Sequence, residues 1–415
     1  MATRILENFR QLTVKQRNAF VACFLGWTLD AFDFFILTYC LSAIATDFSV
    51  GIKKVAECLF WTLAMRPVGA LLFGAMAERW GRKPTLMLNV ISFAVFEFAS
   101  AFAPTLGWLM VCRGLFGIAM GGEWGVGAAL AFETLPAKGR GFFSGLLQEG
   151  YVCGNLLTAA VYWLVFAHLN GHGMLTNWRV MFMIGALPAA LVFFIRMGVD
   201  ESPAWKEGKA DPVKPKFQWS QIGAYLPSFL FLVLLMTAFT AFSHGSQDLY
   251  PTFLEKTKGF AAAEVGKIAI VANLGALFGG ICVGTLSEKL GRRKAIVLAA
   301  LLAIPMIPLW AYTHSMGVIM VGGFLMQFMV QGAWGVIPAH LNELSPSAVR
   351  ATFPGLAYQL GNLITSRNAV FQAALAARFG GLTIVMAGTV VVVALLVAGL
   401  AAAGRERKGE EMKLA

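Results

Sequence analysis

The stretches GAMAERWGRK (residues 74–83) and GTLSEKLGRR (residues 284–293) lie 210 positions apart and share one spacing of glycine, acid and base. Each is a short polar loop between two long apolar runs. Three further pairs fall on the same offset: GEWG (122–125) on GAWG (332–335), ETLPAKGR (133–140) on ELSPSAVR (343–350), and LDAFD (29–33) on FTAFS (239–243). Four matches at one constant offset define two related halves.

The runs between these loops set the fold class. Hydrophobic residues make up 58% of the 415 residues and charged residues 13%, with a mean hydropathy of +0.69. Soluble domains carry about a quarter charged residues, so the chain belongs in a bilayer. Apolar sections long enough to cross a ~30 Å hydrocarbon core as helices recur twelve times. The polar stretch DESPAWKEGKADPVKPKFQWSQ (200–221) divides them six and six. The expected fold is an all-α integral membrane protein of twelve transmembrane helices in two pseudo-symmetric six-helix bundles. Their bounds are 1–199 and 222–415, with 200–221 as a cytoplasmic linker. Parallel repeats of this kind are related by an axis along the membrane normal.

A net charge of +11 invites a nucleic-acid reading, but the placement of the charges removes the need for one. Most of the 33 basic residues fall in loops on the side that an even helix count gives to both termini. That is the positive-inside pattern, so both termini are expected in the cytoplasm, with the chain in the cell inner (plasma) membrane. The N-terminal stretch MATRILENFRQLTVKQRNAF runs straight into a full-length helix and does not read as a removable signal. Six cysteines lie in apolar runs without metal-ligand spacing and read as buried thiols. Five scattered histidines make neither a metal site nor a catalytic set. An enzyme is not expected, and the only coupling species implied is the proton.

The loop pattern Gly-x-x-x-Glu-Arg-x-Gly-Arg-Lys, present in both halves, resembles the signature loop of the major facilitator superfamily. The resemblance covers nearly the whole chain and implies two bundles rocking about a midplane site. It also implies ion-pair clusters at the cytoplasmic helix ends that hold the inner face closed. The residues for that role are Glu78, Arg79, Arg82, Glu133 and Arg140, with Glu288, Arg292, Glu343 and Arg350 in the second half.

Ionisable groups within a membrane cost about 2.5–3.5 kcal/mol each on insertion scales, so each asks for a function. Asp30, Asp33, Arg66, Glu97, Arg113, Glu123, Glu149, His244, Asp248 and Arg367 are the candidates. Within SHGSQDLYPT (243–252), Ser243, His244, Gln247 and Asp248 join Thr240 at helical spacings of three and four, an arc of about 140°. Pro251 cannot donate to the carbonyl of Gln247, so a break is expected there. A polar stripe beside a break reads as a cavity wall. Asp30 and Asp33 align with Thr240 and Ser243 and are expected on the same central cavity. Two close carboxylates do not both ionise in a dry site, which suits a proton carrier. Arg66, in the middle of its helix, offers a fixed fork for a carboxylate, unless Asp30 or Asp33 neutralises it.

TAFSHGSQDLYPT (240–252 within it) is similar to the helix 7 signature of the lactate permease family of proton-coupled monocarboxylate transporters. Ser243, His244, Ser246, Gln247, Asp248 and Thr252 match, while Thr240 replaces an asparagine. MRPVGA resembles that family's helix 2 text and places its substrate-binding arginine on Arg66. YQLGN (358–362) resembles the helix 11 segment that shapes specificity, on Gln359. LDAFD also resembles the motif of aromatic acid:proton symporters, and the wider group includes sialic acid:proton symporters. The resemblance implies a small carboxylate held by Arg66, Gln247, Gln359, Ser243 and Asn362. Proton coupling would fall to Asp30, Asp33, His244, Asp248 and Glu149. Sialic acid or an aromatic acid is the rival substrate, and a non-transporting carboxylate sensor the rival outside transport. A functional monomer is expected. Roles for Glu97, Arg113, Glu123 and Arg367 stay unassigned.

Overall fold

The structure is a computed structural model that describes residues 11–169, 176–210, 222–346 and 349–409. Residues 211–221 of the expected linker lie outside the described residues, as do Lys214 and Lys216. Twelve helical spans run in the expected order. The first four are continuous: α1 (Val14–Asp47), α2 (Ile52–Trp80), α3 (Arg82–Ala101) and α4 (Leu106–Thr134). So are α8 (Ala262–Leu290), α10 (Met316–Leu344) and α12 (Leu382–Ala403).

The other five are interrupted. α5 is Arg140–Gln148 followed by Gly150–His168, with Glu149 at the joint. α6 is Asn177–Ile184, a tight turn Leu187–Ala190, and Leu191–Gly198, with Gly185, Ala186 and Pro188 around the break. α7 is Ile222–Gln247 and Tyr250–Lys256, broken at Asp248 and Leu249 just before Pro251. α9 is Arg292–Ala303, then wound tightly and loosely in turn through Pro305 and Pro308 to Tyr312. α11 is Phe353–Thr365 and Asn368–Phe379. Nine helical stretches among the described residues are long and apolar enough to cross a membrane by length and composition. The spans outside that set are α5, α6 and α11.

Both signature loops turn on a glycine in the left-handed region, Gly81 at φ 110° and Gly291 at φ 92°. A side chain there would be strained, so the glycine lets α2 fold straight into α3, and α8 into α9. The first six spans pack around Phe93, Phe116 and Phe132 and a second cluster at Trp178. The last six pack around Phe239, Phe253, Trp310 and Met326. Contact between the halves is made by α2 with α11 and by α5 and α4 with α8, α10 and α11. It comes from the short half-helices Arg140–Gln148 and Phe353–Thr365, on the face that carries the signature loops. That face, called the basic face below, is closed.

A helix the sequence did not suggest follows α6. Pro203–Ala210 lies against the basic face, with the Trp205 indole donating to the Glu78 carbonyl at 3.0 Å. Just before it, Glu201 accepts from the backbone N–H groups of Arg82 and Lys83, at the start of α3. Glu406 does the same for Arg293 in the second half. Carboxylates here meet the unpaired N–H groups and positive end of a helix.

Candidate functional site

The basic face is held by two copies of one ion-pair device. In the first half, Arg82 donates to both Glu133 oxygens, at 3.0 and 3.1 Å, and to Glu78 at 2.9 Å. In the second, Arg292 donates to both Glu343 oxygens at 3.1 Å and to Glu288 at 2.9 Å. Each bidentate pair is buried, where its Coulomb attraction is least screened and its loss is most costly. Each device then reaches across. Arg140 approaches Glu343 at 3.8 Å and Arg350 approaches Glu133 at 3.9 Å. Glu78 accepts the Ala351 N–H at 2.7 Å, while Glu288 accepts those of Gly139 and Gly141. An acid in one half therefore satisfies the helix start of the other. Arg79 takes no part: it is exposed and makes no ion pair among the described residues.

Above this closure the halves part, and polar groups face the space between them. His244 Nδ1 lies 3.1 Å from Asp248, and these side chains are 41% and 37% exposed despite their place in an apolar helix. Asn362, on α11, donates to Gln359 at 3.3 Å and lies within hydrogen-bonding reach of His244 and Tyr358. Arg66 is buried below them. Its guanidinium meets the Met120 sulfur and lies 5.2 Å from the centre of the Phe34 ring. It forms no ion pair among the described residues, yet its charge reaches Asp30, Tyr151, His244 and Tyr358. The floor is aromatic. Tyr358 packs on Trp27, Trp124 and Trp334, and Tyr151 on Trp27 and Phe35. Trp124 and Trp334 are the tryptophans of the repeated GEWG and GAWG motifs.

Behind the cavity the two halves differ. In the second half, Gln247 donates to Gln327 at 2.6 Å, and Gln331 donates to Ser243 at 3.3 Å. Thr365 donates to Thr240 at 3.0 Å. In the first half, Asp30, Asp33, Glu97 and Glu123 are all at most 1% exposed. Glu97 pairs with Arg113, which also sits 3.9 Å over the Phe116 ring. Both oxygens of Asp30, Asp33 and Glu123 have no hydrogen-bond partner among the described residues. Asp30 lies within electrostatic reach of both Arg66 and Arg113, and Asp33 and Glu97 within reach of Arg113.

The family model described as Major Facilitator Superfamily matches residues 23–366. The chain belongs to the major facilitator superfamily. As a facilitator it is a membrane transporter rather than an enzyme. It is 30% identical over 85% of its length to the sialic acid transporter NanX of Escherichia coli, covering 85% of that protein. It is 28% identical to a carboxylic acid transporter protein homolog of Saccharomyces cerevisiae over 90% of its own length. It spans 64% of that yeast protein. The solved structure of the proton:xylose symporter XylE bound to 6-bromo-6-deoxy-D-glucose superposes with a TM-score of 0.76 at 18% identity, covering 96% of this chain and 98% of that one.

Within this facilitator, several expected positions need correction. Asp30 and Asp33 do not line the cavity. They point into their own bundle, Asp33 and Glu97 lying against Gly185 at the break in α6, while Phe35 on the same helix packs on Tyr151. The helix 7 stripe also divides. Thr240 is buried against α11, Ser243 and Gln247 stay part-exposed but bond to α10, and His244 and Asp248 pair with each other. Gln359 is buried, with its amide nitrogen unpartnered. Glu149 lies between the halves, away from the cavity. Arg367 is exposed at the break in α11. Gln327, Gln331, Tyr151 and Tyr358 were missed. Polar side chains at i and i+4 in an apolar run would have flagged the two glutamines.

Proposed function

We propose that this transporter is a proton-coupled symporter of small monocarboxylates of the lactate and pyruvate class, working by alternating access with the basic face in the cytoplasm. The observation that carries the reading is Arg66, a buried guanidinium that forms no ion pair among the described residues. Such a charge is costly without a counter-ion, and an incoming carboxylate supplies one bidentately. The Arg66 charge reaches His244 and Tyr358, both within hydrogen-bonding reach of Asn362, and Asp248 pairs with His244. The names of the yeast and bacterial relatives support an acid as cargo.

Energetics favour a proton as the partner. A carboxylate is ionised at neutral pH, and moving it inward against the membrane potential costs about 2.3 kcal/mol per 100 mV. One co-transported proton cancels that term. In the proposed cycle the substrate neutralises Arg66, and protons reside on Asp30 and Asp33 in the first half and on the His244–Asp248 pair. Neutralisation lets the halves close over the cavity, and the paired acids and arginines of the basic face then separate.

A second reading, a hydroxyl-rich acid such as a sialic acid, is favoured by the amides of Gln327, Gln331, Asn362 and Gln359 around the cavity. Uptake of labelled lactate, pyruvate, acetate and sialic acid into proteoliposomes, with and without an imposed pH gradient, separates the two readings. Accumulation of a small monocarboxylate that rises with the gradient is expected. Uptake of every acid at the same rate with and without the gradient would reject symport.

A further inference from the structure

Glu149 occupies the joint between the two halves of α5, nine residues from the basic-face end of that span. At 1.5 Å per residue this is about 13 Å deep, close to the bilayer centre. Its carboxyl crosses to the other bundle and fills a notch that exists because residue 280 of α8 is glycine. A Cβ at position 280 would overlap a Glu149 oxygen and meet no other atom closely. Around the notch the backbones of α5, α8 and α10 touch through Gly145, Gly280 and Gly335. Glu149 is 1% exposed, and neither oxygen has a hydrogen-bond partner among the described residues.

The groups facing it leave it no counter-charge. From α8 comes Gly280, from α10 the Gln331 carbonyl beyond it, and from α1 Trp27 and Thr28 against the neighbouring Gly150. Cys153, one turn along α5, is the titratable group within its electrostatic reach. No arginine, lysine or histidine among the described residues acts on it. An ionised carboxylate is untenable in such a place, whereas a neutral acid is tolerated.

We infer that Glu149 is a proton-release site whose ionisation is tied to opening of the basic face. With the face closed, the carboxyl is dry, wedged against α8 and protonated. When α5 and α8 separate, water reaches it, the proton leaves toward the basic side, and the charge cannot re-enter the notch until it is protonated again. Coupling is therefore built into the contact that must break. The inference rests on the proton-coupled reading for its purpose, but its test needs no substrate.

The test measures the distance between spin labels on cysteines replacing Arg79 and Lys289, the exposed ends of α2 and α8, with Cys153 and Cys282 replaced by alanine. In detergent without substrate, the long-distance population of this parent protein should grow as pH rises. Glu149→Gln, which keeps the neutral shape, should stay closed and lose the pH response. Gly280→Ala, whose methyl displaces only the carboxyl, should lose the response as well. A parent protein with no pH response, or a Glu149→Gln variant that opens with pH as the parent does, would overturn the inference. Carboxylate uptake in vesicles is scored separately, so failure of the cargo reading leaves this result standing.

Discussion

The two halves of the molecule share one closing device but have different interiors. At the basic face, Arg82–Glu133 and Arg292–Glu343 superpose in sequence by the 210 offset and match in geometry to within a tenth of an ångström. Deeper in, the same offset sets Asp30 against Thr240, Asp33 against Ser243, Glu123 against Ala333 and Arg113 against Gly323. The first half encloses acids, and the second encloses hydroxyls and amides. Closing a gate needs both sides to grip equally, so symmetry is kept there. Carrying protons needs a set of carboxyls in one dry place, which one bundle can provide alone. On the proposed reading, recognition falls between the halves, with Arg66 from one and His244, Asp248 and Asn362 from the other.

This contrast is open to attack at several points. The largest effect is expected at Arg66, which has Ala276 as its counterpart in the second half. Replacing Arg66 with Ala should lower carboxylate uptake at least about 100-fold, the loss of roughly 3 kcal/mol of charge-assisted hydrogen bonding. Arg66→Lys should recover only part of it, since an ammonium lacks the fork. Uptake near the original rate in Arg66→Ala would remove the guanidinium from recognition.

Gate symmetry is tested next. Glu133→Gln and Glu343→Gln each leave a buried arginine without its bidentate partner, so each should destabilise the closed state by about 3–5 kcal/mol. Thermal unfolding in detergent should show similar losses for the two. A large loss for one and none for the other would show that the matched geometry hides unequal work.

The asymmetry of the interiors predicts a divided outcome. Asp33→Asn should abolish gradient-driven accumulation while sparing exchange of substrate across the membrane at equal pH. Asp248→Asn should behave the same way if the His244–Asp248 pair shares the proton. Gln331→Ala, in the amide-rich half, should change KM only about two- to tenfold, the worth of a neutral hydrogen bond, with pH dependence unaltered. Equal damage to coupling from Gln331→Ala and Asp33→Asn would erase the distinction between the halves.

Much of this architecture was legible before any coordinates. The repeat set Arg82 and Glu133 against Arg292 and Glu343, which the structure pairs, and Pro251 marked the break in α7. Expensive residues named Arg66 and the His244–Asp248 pair, because a membrane helix cannot hide a charge cheaply. Facing was harder to read. In a membrane bundle the lipid side and the packed side are equally apolar, so periodicity does not say which way α1 turns. Asp30 and Asp33 were therefore placed on the cavity, when they look inward to Arg113 and Glu97. The breaks at Glu149 and in α11 carry no proline within the break itself, and Gly185 is one glycine among 44. The aromatic floor was hidden for another reason: Trp27, Trp124, Trp334 and Tyr358 come from four separate spans, and sequence spacing cannot bring them together.

The most direct measurement records proton movement itself. Vesicles containing the protein, held at equal pH and zero potential, receive lactate outside while an external pH indicator is followed. The account predicts alkalinisation of the medium with the unaltered protein and with Gln331→Ala, and none with Asp33→Asn. Lactate entry without any proton signal in the unaltered protein would contradict it.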